Sequence, residues 1–114
     1  MDSQDLAQLC AAIAADKKAE DIVVLDLREI SALTDFFLIC SATSEPHIKA
    51  IVSELTVRLR KEHGRKPQAV DGFPGSQWIV ADFDDVIVHV FHEARRPYYG
   101  LEELWSDAPR LKVA

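Results

Sequence analysis

A cluster of aspartates that closely follows a Gly-Ser pair is the part of this chain nearest in composition to an active site. Asp82, Asp84 and Asp85 come shortly after Gly75-Ser76. Two carboxylates on one side of a strand can hold Mg²⁺ against phosphates, which is the chemistry of nucleotidyl transfer. Residues 77–81 are too few for the helix that separates these motifs in such enzymes, and aspartate is favoured at a predicted hairpin turn for conformational reasons alone. A Mg-dependent enzyme using Asp82 and Asp84 is therefore kept only as the alternative hypothesis.

The histidines, cysteines, serines and glycines do not assemble another catalytic or metal site. His89 and His92 are three apart on a predicted strand, so their side chains leave opposite faces and cannot chelate one ion. No cysteine has metal-ligand spacing, no serine lies in a GxSxG context, and no glycine-rich phosphate loop is present. We expect His89 to fill a semi-buried sheet position and His92 to be a polar residue at the strand's exit. The sequence therefore predicts no enzyme, no metal and no cofactor, and it favours a binding function.

The chain concentrates its aromatic side chains around these residues. Both tryptophans, both tyrosines and two of the five phenylalanines lie between Trp78 and Trp105. Aromatic residues are favoured where few side chains must cover a large area, in a core or at an interface. Trp78 shares a predicted strand face with Val80 and Asp82, a mixture typical of a sheet surface that meets a partner, although a core position for Trp78 stays open. Adjacent tyrosines cannot both face inward, so we expect one of Tyr98-Tyr99 at the surface.

The elements that must position these side chains follow from periodicity and capping signals. In chain order we predict a helix from Asp2 or Ser3 to Lys17-Lys18, strands at 22–25 and 36–40 buried on both faces, a helix from Thr43 or Ser44 to Gly64, an edge strand at 67–70, a hairpin of 78–81 with 86–91, and a lid helix at 101–105. The first two strands should be antiparallel, because their connection is too short for a crossover helix. Asp107-Ala108-Pro109 should end regular structure.

This element order indicates an α+β domain with a mixed five-stranded sheet and helices mainly on one face. Residues 1–114 should form a single domain whose last few residues are a loose tail. No segment approaches the ~20 apolar residues that cross a bilayer, and the acidic start MDSQDLAQLC lacks a basic signal region. Cys10 and Cys40 lie in apolar patterns, where free thiols behave as small hydrophobic residues. Together these features predict a cytoplasmic protein.

The net charge of −6 is unevenly distributed along the chain. Acids outnumber bases in residues 1–57 and 67–114, so the natural partner is a basic surface, such as that of a ribosomal protein, rather than bare nucleic acid. A basic cluster lies near the end of the second predicted helix: Arg58, Arg60, Lys61, Arg65 and Lys66. Two interpretations of this basic cluster stay open, a solvated helix end favoured by the helix dipole and a contact with RNA.

Three segments make the sequence recognisable: LTDFFLICSATS at 33–44, DGFPGSQWIVADFDDVIVHVFHE at 71–93 and YYGLEELWSDAP at 98–109. With them the chain resembles the ribosomal silencing factor family, also called the Iojap family, over nearly its whole length. The middle segment departs from the family at one position, because Asp84 stands where glycine is usual. Glycine accepts positive φ more readily than aspartate does, so we expect a locally altered hairpin turn.

The resemblance implies a cytoplasmic factor that binds the large ribosomal subunit through a basic ribosomal protein on its subunit-joining face. Binding there would block association with the small subunit and lower translation under nutrient limitation, as in stationary phase. The implied fold is similar to that of nucleotidyltransferases but lacks their catalytic residues. The implied mechanism is steric occlusion, which needs no cofactor.

The family's surface motif falls on six residues of this chain, implied to bind the partner: Trp78, Asp82, His89, Glu93, Tyr98 and Tyr99. Trp78 is the expected apolar anchor, and Asp82 and Glu93 are expected to pair with lysines or arginines of the ribosomal protein. The tyrosines extend this contact, whereas Trp105 is expected to hold the fold. Exposed edge strands and aromatic residues would also permit a homodimer, in which the same surface would compete with the ribosome.

Overall fold

The computed structural model describes residues 1–72 and 77–113. Its elements, in chain order, are α1 (Ser3–Asp16), β1 (Glu20–Asp26), β2 (Phe36–Ala42), α2 (Glu45–His63), β3 (Ala69–Asp71), β4 (Trp78–Asp82), β5 (Val86–His92), α3 (Arg96–Tyr99), α4 (Leu101–Leu104) and β6 (Arg110–Leu111). Gly75-Ser76, and the turn predicted around them, lie outside the described residues. Within those residues, no helix has the length and apolar character that crossing a membrane requires.

The strands form one mixed sheet in the order β3-β4-β5-β2-β1-β6. Strands β2 and β5 run parallel at its centre, and the other neighbouring pairs are antiparallel. The antiparallel pairing of β1 with β2 and the hairpin of β4 with β5 are confirmed. The predicted edge strand is confirmed as well, because β3 lies at one end of the sheet.

Six strands are present in the described part of the chain, so the prediction of five was wrong. The expectation that Asp107-Ala108-Pro109 ends regular structure was also wrong, because Arg110–Leu111 pair with Val24 and Leu25 of β1. A 2.8 Å hydrogen bond from the Asp26 N–H to the Pro109 carbonyl holds the start of this segment beside β1. The added strand covers the outer edge of β1, whose backbone groups would otherwise lack strand partners. Two residues are too few to produce a periodic pattern in the sequence.

The two long helices cover one face of the sheet and enclose the larger core. Helix α1 begins after Asp2, whose Oδ1 accepts a hydrogen bond from the Asp5 N–H at 2.8 Å. Helix α2 begins after Ser44, whose hydroxyl accepts from the His47 N–H at 3.2 Å. It ends at Gly64, which has a φ of 65° in the left-handed region that glycine tolerates. The predicted helix starts and the predicted stop are confirmed.

Strands β2 and β5 are the most enclosed strands of the described sheet, with side chains buried on both faces. Phe36, Leu38 and Cys40 of β2 lie toward the long helices, whereas Phe37 and Ile39 lie on the opposite side, as strand alternation requires. The prediction that this strand is buried on both faces is confirmed. Cys40 and Cys10 are free thiols, and burial raises the pKa of each to about 12.

The second face of the sheet carries a smaller core. Its buried members come from three strands and two connections: Leu25, Leu27, Phe37, Ile39, Ile87, Phe91 and Ala108. Leu101 and Trp105 pack over this core, but helices α3 and α4 contribute no fully buried side chain. The predicted placement of helices on one face is therefore correct for α1 and α2, and the short pair occupies the other face.

Candidate functional site

An aromatic stack forms on the second face, where β4 and β5 pair beneath α3. Trp78 lies across from Phe91, and their rings stack with centroids 4.8 Å apart and planes 25° apart. The Tyr99 ring lies on both, with its centroid 4.6 Å from that of Trp78 and 5.6 Å from that of Phe91. Tyr98 meets Tyr99 edge-on at 5.5 Å. We call Trp78, Tyr98 and Tyr99 the aromatic surface, since Phe91 beneath them is fully buried.

The members of the aromatic surface differ in their exposure to solvent. Tyr98 is 77% exposed, Tyr99 is 38% exposed, and Trp78 is half-buried. The expectation that one of the adjacent tyrosines lies at the surface is confirmed, with Tyr98 the outer one. Trp78 packs on Phe91 and Tyr99 yet still reaches solvent. Such a group can bury further area against a partner without any unfolding of the protein.

The two acids of the implied motif lie at opposite ends of the β4–β5 pair. Glu93 is exposed and follows β5, two residues after Phe91. Asp82 is half-buried and ends β4, four residues from Trp78, which is about 13 Å along a strand. Its Oδ1 accepts a hydrogen bond from the Asp84 N–H at 2.8 Å. The structure therefore leaves Glu93 at the Trp78 end of the hairpin and Asp82 at the turn.

The hairpin turn gives Asp82 and Asp84 a structural role. Asp84 has a φ of 77°, so the aspartate itself adopts the left-handed conformation that suits glycine. Its side chain is exposed, and its N–H is held by Asp82. Across residues 1–72 and 77–113, no group of three or more histidine, cysteine or acidic side chains is placed to hold a metal ion.

His89 lies beneath the aromatic surface rather than in it. The side chain is 6% exposed, which is more enclosed than the semi-buried position expected from the sequence. Its Nδ1 accepts a hydrogen bond from the Trp78 indole N–H at 3.3 Å, and the Phe37 ring stands edge-on at 4.6 Å. Burial lowers the pKa of His89 to about 4 from its ordinary value of 6.5. The imidazole is therefore neutral at pH 7.

Arg96 fixes the short helices on the second face. Its Nε donates to Glu102 at 2.7 Å, and its Nη1 donates to the Asp21 carbonyl at 2.6 Å and to the Ser41 hydroxyl at 2.9 Å. These bonds join the start of α3 to α4, to β1 and to β2. Sequence reasoning missed this arginine, because two of its acceptors lie 55 and 75 residues away along the chain. It positions the segment that carries both tyrosines.

Trp105 closes the other end of this segment. Its ring meets the Phe37 ring edge-on with centroids 5.8 Å apart, and it packs against the smaller core on the second face of the sheet. The expectation that Trp105 holds the fold agrees with this position. Leu104 beside it is 75% exposed.

The basic cluster divides into two groups. Arg58 pairs with Asp16 at 2.8 Å, and Arg65 donates to the Phe83 carbonyl at 2.9 Å and to Asp85 at 2.7 Å. Arg58 thereby joins α2 to the end of α1, and Arg65 joins the chain after α2 to the turn between β4 and β5. The other members, Arg60, Lys61 and Lys66, are exposed. The interpretation as a solvated helix end fits these three, and the interpretation as an RNA contact stays open for them.

Comparison with known proteins gives one consistent family. The family model described as "Ribosomal silencing factor during starvation" matches residues 1–114. The chain is 42% identical over 113 residues to ribosomal silencing factor RsfS of Halalkalibacterium halodurans, a match that covers 99% of this chain and 96% of that protein. It is 41% identical over 109 residues to RsfS of Bacillus subtilis, covering 96% and 92% of the two chains.

A solved structure shows the same architecture. The fold matches a crystal structure of a Chromobacterium violaceum protein with a TM-score of 0.87 and 30% sequence identity. That match covers 100% of this chain and 93% of the other. The mixed sheet and its helices are therefore shared beyond the sequence motifs.

Proposed function

This chain belongs to the ribosomal silencing factor family, and from that premise we propose that it represses translation by binding a basic protein on the subunit-joining face of the large ribosomal subunit. Membership of the family gives a translation-regulating role and association with the ribosome. The proposal adds how this is done: the aromatic surface docks on the ribosomal protein, and the body of the factor then sterically blocks the small subunit. Translation falls under nutrient limitation as a result, in the cytoplasm, where the partner ribosomes are.

The observation that carries the proposal is the aromatic surface. Trp78 and Tyr99 pack side by side over buried Phe91, and Tyr98 beside them is largely exposed. Aromatic side chains are enriched at the centres of interfaces and account for much of the binding energy there. Trp78 is the proposed anchor, and the tyrosines extend the contact.

Charge supports a basic partner. The protein carries a net charge of −6, and Glu93 is an exposed acid at the Trp78 end of the hairpin. Asp82 uses Oδ1 inside the turn, which leaves its other oxygen for a lysine or arginine of the partner. Rim charges of this kind speed up encounter and fix the register of docking more than they add affinity.

Sedimentation with purified ribosomal subunits tests the proposal. The protein should co-sediment with large subunits, and its addition should lower the yield of whole ribosomes re-formed from separated subunits. Tyr98→Glu should abolish both effects, because the new carboxylate would be buried against the partner. The melting temperature should stay unchanged, since the side chain is 77% exposed in the free protein.

Val57→Glu is the matched control. Val57 is also an exposed apolar side chain, but it lies on α2, which covers the other face of the sheet. This variant should bind large subunits as the wild type does. Loss of binding in both variants, or in neither, contradicts the docking surface. Co-sedimentation with small subunits alone contradicts the proposed function itself.

We propose further that no catalysis accompanies this binding, and that the fold is a nucleotidyltransferase-like one without the catalytic residues. The use of Asp82 and Asp84 in the hairpin turn supports this. Asp84→Asn removes the carboxylate and tolerates the left-handed backbone, so subunit re-association should still be blocked. Nucleotide binding that requires a divalent ion and is lost in Asp84→Asn would instead favour the enzyme hypothesis.

A contact with ribosomal RNA is proposed for the exposed part of the basic cluster: Arg60, Lys61 and Lys66. Contacts with phosphates release counterions, so binding that uses them weakens steeply with salt. Reversing the three charges to glutamate should make large-subunit binding less salt-dependent while leaving the Tyr98→Glu effect in place. An unchanged salt slope would exclude the RNA contact.

A homodimer through the aromatic surface would hide the residues that the ribosome needs. We therefore propose that self-association and subunit binding exclude each other. Analytical ultracentrifugation of the wild type and of Tyr98→Glu tests this, because the variant should be monomeric at every concentration at which the wild type associates.

A further inference from the structure

His89 is held in an unusually apolar environment for a histidine. Strand β5 places it between Val80 of β4 and Ile39 of β2. The Phe37 ring stands edge-on at 4.6 Å, and the rings of Trp78 and Phe91 lie 5.9 and 6.4 Å away. A polar ring removed from water in this way is unfavourable unless its nitrogens are hydrogen-bonded.

Hydrogen bonding determines which nitrogen of His89 carries the proton. Nδ1 lies 3.3 Å from the Trp78 Nε1, and an indole nitrogen can only donate. Nδ1 must therefore be the acceptor, and the single proton of the neutral ring is on Nε2. Nε2 is buried and has no hydrogen-bond partner among the described residues.

Stability alone does not account for a histidine at this position. A buried donor left unpaired is destabilising, whereas an apolar group of the same shape can be neutral or stabilising there. Phenylalanine would fill the same space between Phe37 and Phe91 without a polar atom. The hydrogen bond that His89 does make goes to the indole of Trp78, the proposed anchor of the aromatic surface.

We propose that His89 is a positioning residue, whose Nδ1 holds the Trp78 indole in the orientation in which Trp78 and Tyr99 form one continuous docking surface. The proposal rests on the proposed function of that surface. It gives His89 a role exerted through Trp78 rather than by direct contact, because a side chain that is 6% exposed offers a partner almost no area.

The half-buried state of Trp78 explains why this orientation needs a fixed acceptor. Packing against Phe91 and Tyr99 restrains the Trp78 ring in any case, but it does not fix the direction of the indole N–H. Without Nδ1, the indole can tilt between the rings and bond to water instead. The partner would then have to order the ring on binding. Fixing a side chain in its bound conformation beforehand avoids that entropic penalty and strengthens binding.

His89→Phe is the decisive variant, since it removes both the acceptor and the unpaired donor while filling the space. The melting temperature should be equal to or higher than that of the wild type. The affinity for purified large subunits should fall by about tenfold, the equivalent of one hydrogen bond. In NMR spectra, the Trp78 indole N–H should exchange faster with solvent. A purely structural role predicts instead that stability and binding fall together.

His89→Asn supplies the rescue, and His47→Gln supplies the control. The Asn Oδ1 can take the place of Nδ1 while the smaller side chain leaves a void, so the melting temperature should fall and binding should be largely kept. His47 accepts from the Thr43 N–H and meets the Lys17 carbonyl on the helix-covered side. Its replacement should lower stability without changing the affinity for large subunits.

The outcomes separate this proposal from the function on which it rests. Unchanged affinity and unchanged indole exchange in folded His89→Phe would overturn it, as would loss of binding in folded His89→Asn. If His89→Phe does not fold, the Asn variant decides by the same criterion. If the wild type itself does not bind large subunits, the proposed function fails. The Trp78 exchange rates of the wild type and the variants then still decide whether His89 positions the ring.

Discussion

The two faces of the sheet are built from the same strands but are covered in different ways. Helices α1 and α2 enclose one face, and its core side chains are withdrawn from water almost completely. The second face is covered by α3 and α4, four residues each, and it leaves Trp78 and Tyr99 partly exposed. A fold stabilised mainly from one side can keep apolar area open on the other, where it serves a partner.

The interactions that hold each face differ accordingly. The helix-covered face is held mainly by apolar packing along two long helices, to which Arg58 and Arg65 add ion pairs at the surface. On the second face, specific polar contacts supplement a smaller core: Arg96 fixes the short helices, and His89 bonds to Trp78. This contrast predicts that substitutions on the first face change stability alone, whereas those at the polar contacts of the second face also change the presentation of the aromatic surface.

The largest effect is expected from the helix-covered core. Leu55 of α2 is fully buried, so Leu55→Ala should lower the free energy of unfolding by about 4 kcal/mol through lost contacts and a residual cavity. Leu104 on the second face is 75% exposed, and Leu104→Ala should change stability by less than about 0.5 kcal/mol. Urea denaturation measures both. Similar losses from the two variants would mean that Leu104 packs as firmly in the folded protein as Leu55 does.

Acid should destabilise the protein through the second face. The folded-state pKa of His89 is about 4, below its ordinary 6.5, so protonation favours the unfolded chain. The corresponding stability is complete above pH 6.5 and is lost as the pH falls to about 4, an effect of about 3 kcal/mol.

Comparison with His89→Phe separates the contribution of His89 to this pH dependence from that of the carboxylates, which also titrate in acid. The free energy of unfolding should fall between pH 7 and pH 4 in both proteins, but by about 3 kcal/mol less in the variant. Equal losses would show that the burial of His89 does not control its protonation.

Removing the Arg96 guanidinium should release the short helices. Arg96→Met keeps the stem of a side chain that is 11% exposed and deletes its bonds to Glu102, Asp21 and Ser41. We expect a loss of about 2 kcal/mol, faster amide hydrogen exchange in residues 96–105 and weaker binding of large subunits. Arg95→Met is the control, since Arg95 is exposed and, among the described residues, its guanidinium bonds only to the Gln77 side chain, while its backbone bonds survive the substitution. Exchange that rises equally across the sheet would contradict a local role.

The same contrast explains what the sequence could predict. Helix α2 was predictable because its signals are local: a hydroxyl cap at Ser44 and a glycine at Gly64. The role of Arg96 and the strand β6 were not, because they depend on partners far away along the chain. Alternation places His89 on the second face with Ile87 and Phe91, but its burial depends on the rings of Phe37 and Trp78, which come from other strands. Local rules therefore described the helix-covered face better than the candidate site.

The smallest effect is expected at the turn of the β4–β5 hairpin, where Asp84 has a φ of 77°. Asp84→Gly relieves the left-handed strain of an L residue, while glycine's greater freedom in the unfolded chain offsets part of the gain, so stability should rise by about 0.5 kcal/mol. The bond from the residue 84 N–H to Asp82 is kept, because it uses the backbone. Binding of large subunits should be unchanged, since Asp82 keeps the backbone bond that orients it and the Asp84 side chain has no part in the proposed contact. If Asp84→Gly weakens that binding, the Asp84 carboxylate must itself contact the partner, and the docking surface would have to include residue 84 of the turn as well as Asp82.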